Sequence, residues 1–419
     1  MTQTDRHIAI VGAGIIGICC AHELRSRGFV VTLIDRDEPC TGTSWGNAGA
    51  IAVAETLPLA SPGIMAKAPR WLLDPTGPLS VPPSYLPTML PWLYRFWRAS
   101  SAAQVRRSAE AISSLLGMSV EALTRITDAA GISHKLRPMG DIHVYQGRRQ
   151  FDSSRWGWDM RRELGVKFDV VSGTDVRSLE PALDASFTHA VHIPDWLVVT
   201  DPFEIGHDIA TDAIARGVKF RSGSVRAIGS EGGKPLVQMD RGEDVAADYV
   251  VLAAGAWSHR LTRDWGEHFP LETERGYNTT FATPNIQLKQ QVTFAEHGFV
   301  VSPLTCGMRI GGAVEFAGLD APPNYARSKA MVKKAQRFFP EFDPASDTVG
   351  GVEWMGFRPS LPDSLPVISR SSVRSDVFCA FGHGHMGLTE SGSTAQLIAD
   401  LITERRPAID MDPFRAGRF

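Results

Sequence analysis

At 419 residues, with 43% hydrophobic and 21% charged residues and a net charge of −3, the chain has the makeup of a globular protein long enough for two domains and a sizeable core. The charge balance lacks the basic excess that nucleic acid demands, and no apolar run reaches the ~18 residues of a membrane-spanning helix. Five cysteines, Cys19, Cys20, Cys40, Cys306 and Cys379, are odd in number and show no metal-ligand spacing, which points to a reducing cytoplasm with neither disulfides nor a bound metal.

The chain opens with an apolar strand, His7 to Val11, that runs into Gly12-Ala13-Gly14-Ile15-Ile16-Gly17 and then a helix to about Arg27, stopped by Gly28. Gly12 permits a tight turn, Gly14 lets backbone approach a pyrophosphate, and Gly17 lets the helix pack closely on the strand. A second apolar strand from Phe29 to Ile34 ends in Asp35, where an acid accepts hydrogen bonds from a ribose 2′-hydroxyl. Strand, glycine turn, helix, strand and acid together predict a bound dinucleotide. Arg36 hints at a 2′-phosphate, but Asp35 repels one, so FAD or NAD is favoured over NADP. Ile8 to Ala21 are apolar enough for a signal-peptide core, yet a basic start is lacking and the phosphate turn explains the glycines.

Asp37 to Ile51 form a loop of small and hydroxyl residues, including Thr43, Ser44, Asn47, Gly49, Ala50 and Ile51, suited to close contact with a flat ring and its phosphates. The Gly-x-Gly-x-x-Gly unit followed by Thr-Ser-x-x-Asn-Ala-Gly resembles the D-amino-acid oxidase superfamily of FAD enzymes. Within it, the pattern is most similar to the bacterial D-amino-acid dehydrogenase and D-hydroxyproline dehydrogenase branch. The resemblance implies that Gly12, Gly14, Ile15, Ile16, Gly17, Asp35, Arg36 and these loop residues hold FAD.

Prolines crowd Pro58 to Pro91 and mark an excursion from the nucleotide domain, with a boundary near Pro75. Pro91 to Arg98 predict a helix with proline in its first turn and Trp92, Phe96 and Trp97 on one face, followed by Arg106 and Arg107. That face either packs into its own domain or docks on a bilayer surface. An amphipathic helix is predicted over Ala109 to Ala130, a strand over Gly140 to Tyr145, and a helix around Phe151 to Leu164. Val191 to Val199 read as one strand, and Asp201-Pro202 as the cap and first turn of a helix.

Val218 to Arg221 and Ser224 to Ile228 are strand-like, and Asp248 to Leu252 lead into Ala253-Ala254-Gly255-Ala256-Trp257-Ser258. That run is similar to the superfamily's second FAD signature, which implies that Val225 passes the adenine and that Ala254, Gly255 and Trp257 meet the nucleotide. A buried Trp257 without a cofactor role is the alternative. Alternating runs from Leu271 to Gly312 resemble the antiparallel sheet that roofs the flavin in this family. There Tyr277 matches a substrate-facing tyrosine, with a core tyrosine as the alternative. Arg327 to Phe339 predict a helix.

Near the end, Arg358 stands among prolines and apolar residues in Gly356-Phe357-Arg358-Pro359-Ser360-Leu361-Pro362-Asp363. A lone buried charge costs several kcal/mol, so an anionic partner is expected, and a guanidinium fork suits a carboxylate. The pattern resembles the family's substrate-carboxylate clamp, with an internal pair to an aspartate as the alternative. Phe357 and Arg358 stand where sarcosine-oxidase relatives carry the flavin-linking cysteine, which implies a noncovalent flavin. Finally, the strand Val377 to Phe381 enters Gly382-His383-Gly384-His385-Met386-Gly387-Leu388-Thr389 and a helix, placing a positive helix end against the ring. His383 and His385 either touch substrate or flavin, or pack the turn.

The resemblance implies an α/β fold. It comprises a Rossmann-like FAD domain of glutathione-reductase type (1–75, 196–262 and 346–419) and an α+β substrate domain with a mainly antiparallel sheet (76–195 and 263–345). It also implies an FAD-dependent dehydrogenase that oxidises a D-amino acid or cyclic D-imino acid, such as D-proline, cis-4-hydroxy-D-proline or D-alanine. The expected electron acceptor is a quinone or carrier rather than NAD, reached from the cytoplasm at the inner membrane face. A glycine or sarcosine oxidase, and a non-catalytic flavin-binding subunit of a larger complex, are the alternatives.

Overall fold

His7–Val11 is apolar at nearly every position because it becomes the inner strand of a sheet covered on both faces. The structure is a computed structural model that describes residues 6–64 and 79–419, so the expected boundary near Pro75 lies outside the described residues. In chain order, the strands used below are β1 (His7–Val11), β2 (Val30–Asp35), β3 (Asp141–Tyr145), β4 (Asp169–Ser172), β5 (His189–Ile193), β6 (Lys219–Ser222), β7 (Tyr249–Leu252), β8 (Glu272–Phe281), β9 (Gln291–Phe294), β10 (Phe299–Leu304), β11 (Gly307–Glu315), β12 (Val352–Ser360), β13 (Val367–Arg370) and β14 (Val377–Phe381). The helices are α1 (Ile15–Ser26), α2 (Leu86–Ala99), α3 (Ala102–Gly117), α4 (Ser119–Ala129), α5 (Arg148–Glu163), α6 (Pro202–Ala215), α7 (Ala326–Phe338) and α8 (Ser391–Ile402).

The first sheet has the order β6-β2-β1-β7-β14-β13 and is parallel except at its β13 edge. The second has the order β12-β8-β11-β10-β9-β3-β5-β4, with the short strand Leu79–Ser80 beside β11, and is antiparallel except where β9 meets β3 and where Leu79–Ser80 meets β11. The parallel sheet with helices and the antiparallel sheet together make the expected α/β fold.

Several expected boundaries shift for local reasons. β12 pairs with β8 from Val352 to Ser360, so the chain rejoins the first sheet after Ser360 and not at residue 346. The helix expected over Ala109 to Ala130 is two helices, α3 and α4, divided at Gly117-Met118, where glycine is a weak helix former. Both lie in the span assigned to the substrate domain, yet Ile112, Leu115, Leu123 and Ile126 join the core of the first sheet. Gly392 allows that approach, because a side chain there would strike the Leu123 backbone. The strand expected over Val191 to Val199 breaks at Pro194 into β5 and Leu197–Val199. Asp201 caps α6 as read, accepting from the Phe203 and Glu204 amides at 2.8 and 3.1 Å.

The helix expected from Pro91 begins at Leu86, with Pro87 in its first turn and Pro91 inside it. Trp92 and Phe96 share a face as expected, but Trp97 does not. Trp92 is buried, stacked on Phe96 at 5.0 Å and tilted on Phe316 at 5.1 Å, whereas Trp97 is exposed beside Tyr94. Among the described residues, no helix is long and apolar enough to cross a membrane.

Candidate active site: a cavity between the two sheets

A cavity of about 1190 Å³ runs from the glycine turn after β1 to the inner face of the antiparallel sheet. At its first end, Gly12 has φ +109°, and a side chain there would collide with the Ala253 carbonyl. Gly17 is closed in the same way by the Gly12 carbonyl, so α1 starts hard against the end of β1. The Ile15 amide donates to Ser44 Oγ at 3.0 Å, and the Ala13 amide donates to Asp35 at 2.6 Å. The Gly14 and Ile16 amides of the same turn have no acceptor within the described chain. Bare amides at a helix start, backed by its dipole, are what a pyrophosphate needs.

Further along this end, Asp35 lines the cavity with its other oxygen accepting from the Asp37 amide at 3.2 Å. Arg36 lies over the Trp257 ring at 4.2 Å, and Trp257 meets Phe357 edge-on at 5.2 Å. Val225, Ala254 and Gly255 complete this wall.

The loop from Thr41 to Gly49 is fastened to the roof sheet at three points. Thr43 Oγ1 donates to the Phe357 carbonyl at 3.1 Å and accepts from its amide at 3.2 Å. Asn278 donates to the Gly46 carbonyl at 2.8 Å, and Arg309 donates to the Asn47 carbonyl at 2.5 Å. Gly384, His385, Met386, Gly387, Leu388 and Thr389 line the opposite side. Thr389 accepts from the Ala52 amide at 3.0 Å, which ties the closing turn to the loop.

At the far end the lining is made of charged side chains. Arg358 on β12 stands directly opposite Glu274 on β8, and its guanidinium lies over Gly276, where a Cβ would come within 2.5 Å of Cζ. Among the described residues no carboxylate lies within 4.0 Å of Arg358 and no hydrogen bond holds it. Burial lowers its basicity, and Glu274 opposes that. Glu274 is buried, with one carboxylate oxygen accepting from Ser360 Oγ at 2.5 Å. His385 opens onto the cavity. Surrounding protein lowers its pKa, with Glu274, Arg358 and Glu55 acting on it in turn.

Beyond His385, Glu55 pairs with Arg161 at 2.8 Å and lies 3.7 Å from His143. Burial alone raises the Glu55 pKa, but Arg161, then His143 and His385, more than offset this and hold it at about 2. Arg161 also covers the Trp158 ring at 4.8 Å, and His143 lies 2.9 Å from the buried Asp141. From β8 to β3 the sheet crosses four strand spacings, about 19 Å, so the cavity floor is longer than a small amino acid.

Four expected site residues stand elsewhere. Tyr277 does not line the cavity: strand alternation turns it to the back of β8, where its hydroxyl donates to Glu315 at 2.5 Å and accepts from the Asn324 amide at 3.0 Å. It is a core tyrosine, and Arg275 on the same face pairs with Glu315 at 3.2 Å. Ile51 points into the core, Gly49 (φ +81°) shapes the loop while its carbonyl accepts from Val199 at 2.7 Å, and Gly17 acts through packing alone. His383 lines the cavity with its Nε2 bonded to Thr394 at 3.0 Å, and burial holds its pKa at about 3, so it stays neutral.

Glu274, Glu55, His143, Arg161, Asn278 and Arg309 were not singled out from the sequence. Period-two alternation along Glu274-Arg275-Gly276-Tyr277 was the available signal, since Glu274 and Tyr277 fall on opposite faces.

The cradle fits a dinucleotide: bare helix-start amides, an acid at the end of β2, and a cavity long enough to continue past the phosphates to the roof sheet. Comparison with known proteins agrees. Residues 7–401 match the family described as FAD dependent oxidoreductase (DAO). The chain is 34% identical over 417 residues to a D-amino-acid oxidase of Bradyrhizobium diazoefficiens, covering 99% of each chain. It is 27% identical over 419 residues to a D-amino acid dehydrogenase of the same organism, covering 98% of each. Among solved structures, glycine oxidase from Geobacillus kaustophilus superposes with a TM-score of 0.75 at 20% identity, covering 99% of each chain. L-proline dehydrogenase from P. horikoshii superposes with a TM-score of 0.75 at 19% identity, covering 99% of this chain and 98% of that one. With its glycine cradle intact and its similarity running from end to end, the chain belongs to the DAO family of FAD-dependent oxidoreductases, and FAD is its cofactor.

Proposed function

We propose that the protein is a dehydrogenase that oxidises the Cα–N bond of a D-amino acid or cyclic D-imino acid to an imine, which hydrolyses to a 2-oxo acid. The observation that carries this reading is Arg358, a guanidinium facing the cavity with no carboxylate within 4.0 Å among the described residues and a glycine beneath it. Bound FAD supplies the hydride acceptor at N5. Arg358 fixes the substrate carboxylate through its planar fork, and that orients Cα. His385 faces the same space. The amine must be neutral when Cα–H leaves, so a proton carried in on the ammonium passes to a neighbouring base before hydride transfer, and desolvation in the cavity favours the neutral form.

The remaining assignments belong to the same reading. Gly12, Gly14, Ile15, Ile16, Asp35, Arg36, Thr43, Ser44, Asn47, Ala50, Val225, Ala254, Gly255, Trp257 and the turn from Gly384 to Thr389 hold the cofactor, while the antiparallel sheet holds the substrate. The flavin is noncovalent, supported by a cavity lining in which, among the described residues, no cysteine appears. Electrons pass to a quinone or carrier at a membrane surface. The exposed Leu86, Leu90, Tyr94 and Trp97 of α2, with exposed Arg95 and Arg98 beside them, support docking there.

Anaerobic titration of the yellow protein with D- and L-amino acids, D-proline, cis-4-hydroxy-D-proline and sarcosine tests the reaction. Bleaching by D-substrates is expected, and bleaching by none would end the reading. Acid precipitation should leave the yellow colour in the supernatant. Vesicles with anionic lipid should sediment the protein, and Trp97→Glu should abolish that binding.

A further inference from the structure

We propose that Glu274 is the recognition site for the substrate's amino group, so that β8 and β12 together read the zwitterionic head of an amino acid. This rests on Arg358 as the carboxylate site. Glu274 and Arg358 face each other in register across two neighbouring strands, which puts both side chains on one sheet face at the cavity. Glu274 is 3% exposed, and one of its oxygens is held by Ser360 Oγ at 2.5 Å. The other oxygen has no hydrogen-bond donor and no cation within 4.0 Å among the described residues.

That idle oxygen opens on the cavity, where it can accept from a donor that arrives with the substrate. Glu55 differs, because Arg161 already pairs with it at 2.8 Å. The carboxylate and ammonium of an α-amino acid sit on one carbon, about 3 Å apart. Neighbouring Cβ atoms across a strand pair lie about 5 Å apart, so a cation and an anion side by side match that head group. An acid without the amine leaves Glu274 unsatisfied and meets its negative charge.

The test uses two ligands that cannot lose a Cα hydrogen: 2-aminoisobutyrate, which has the amine, and pivalate, which lacks it. Calorimetry on the flavin-loaded protein at pH 7 should show 2-aminoisobutyrate bound at least about tenfold more tightly. Glu274→Gln should weaken 2-aminoisobutyrate by about tenfold or more while leaving pivalate unchanged or tighter. Glu274→Asp, which keeps the charge, should recover part of the loss, and the flavin spectrum checks that each variant is folded. Equal loss of both ligands would show that Glu274 merely aligns Arg358, and no preference in the unaltered protein would overturn the proposal without any variant. Pivalate binding that survives Arg358→Ala would instead sink the carboxylate clamp beneath it.

Discussion

The two ends of the cavity are made of different material. The nucleotide end is main chain: amides after β1, glycines without room for a Cβ, and a loop fastened by its carbonyls. The far end is side chain: Arg358, Glu274, His385, Glu55 and Arg161, drawn from segments far apart in the sequence. A backbone cradle fails when atoms are added, whereas a charged cluster fails when atoms are removed or displaced. The first end therefore tolerates no bulk and the second no loss of charge.

The largest effect should come from adding one methyl at the main-chain end. Gly12→Ala meets both a φ of +109° and the Ala253 carbonyl, and the purified variant should carry less than about a tenth of the wild-type flavin by the ratio of visible to ultraviolet absorbance. Full flavin content would show that the turn is not the cradle. Next, Arg358→Ala should raise KM by about 100-fold with flavin retained, the equivalent of a lost charge-assisted hydrogen-bond pair. Gly276→Ala sharpens the contrast, because the added Cβ comes within 2.5 Å of the guanidinium and should mimic the arginine deletion in KM without touching a charge.

Acid should distinguish the ends more gently. His383 is held at about 3 against an ordinary 6.5, and Glu55 at about 2 against 4.5. Both folded values lie below the unfolded ones, so their contributions are complete above 6.5 and 4.5 and fade as pH falls toward 3 and 2 respectively. The melting temperature of Glu55→Gln should trail the wild type at pH 6, and the gap should close between pH 5 and 2. A constant gap would place the stabilisation outside the ion pair. The smallest effect is expected from Thr43→Val, which removes two hydrogen bonds to Phe357 and should raise KM about threefold to tenfold.

The same contrast explains what could be read from residues alone. Gly12, Asp35 and the closing turn at Gly384 are legible because backbone geometry leaves a local imprint: a glycine where φ is positive, an acid where a strand ends. Arg358 was legible because its neighbours are apolar. Glu55 and His143 left no such mark, since their meaning arises only when a loop and the strand β3 meet across a sheet. Tyr277 shows the other failure, where resemblance to a substrate-facing tyrosine outweighed the alternation that places it behind the sheet beside Glu315. The domain division was misjudged at α3 and α4 because an apolar helix face does not declare which sheet it will cover.

Thr43 grips both the backbone amide and the carbonyl of Phe357, one residue before Arg358. The loop that lines the nucleotide end and the strand that carries Arg358 thus share one mechanical joint. A substitution at Glu55 or Arg161, which stand clear of that joint, should leave the loop's grip on β12 intact, whereas one at Thr43 should not.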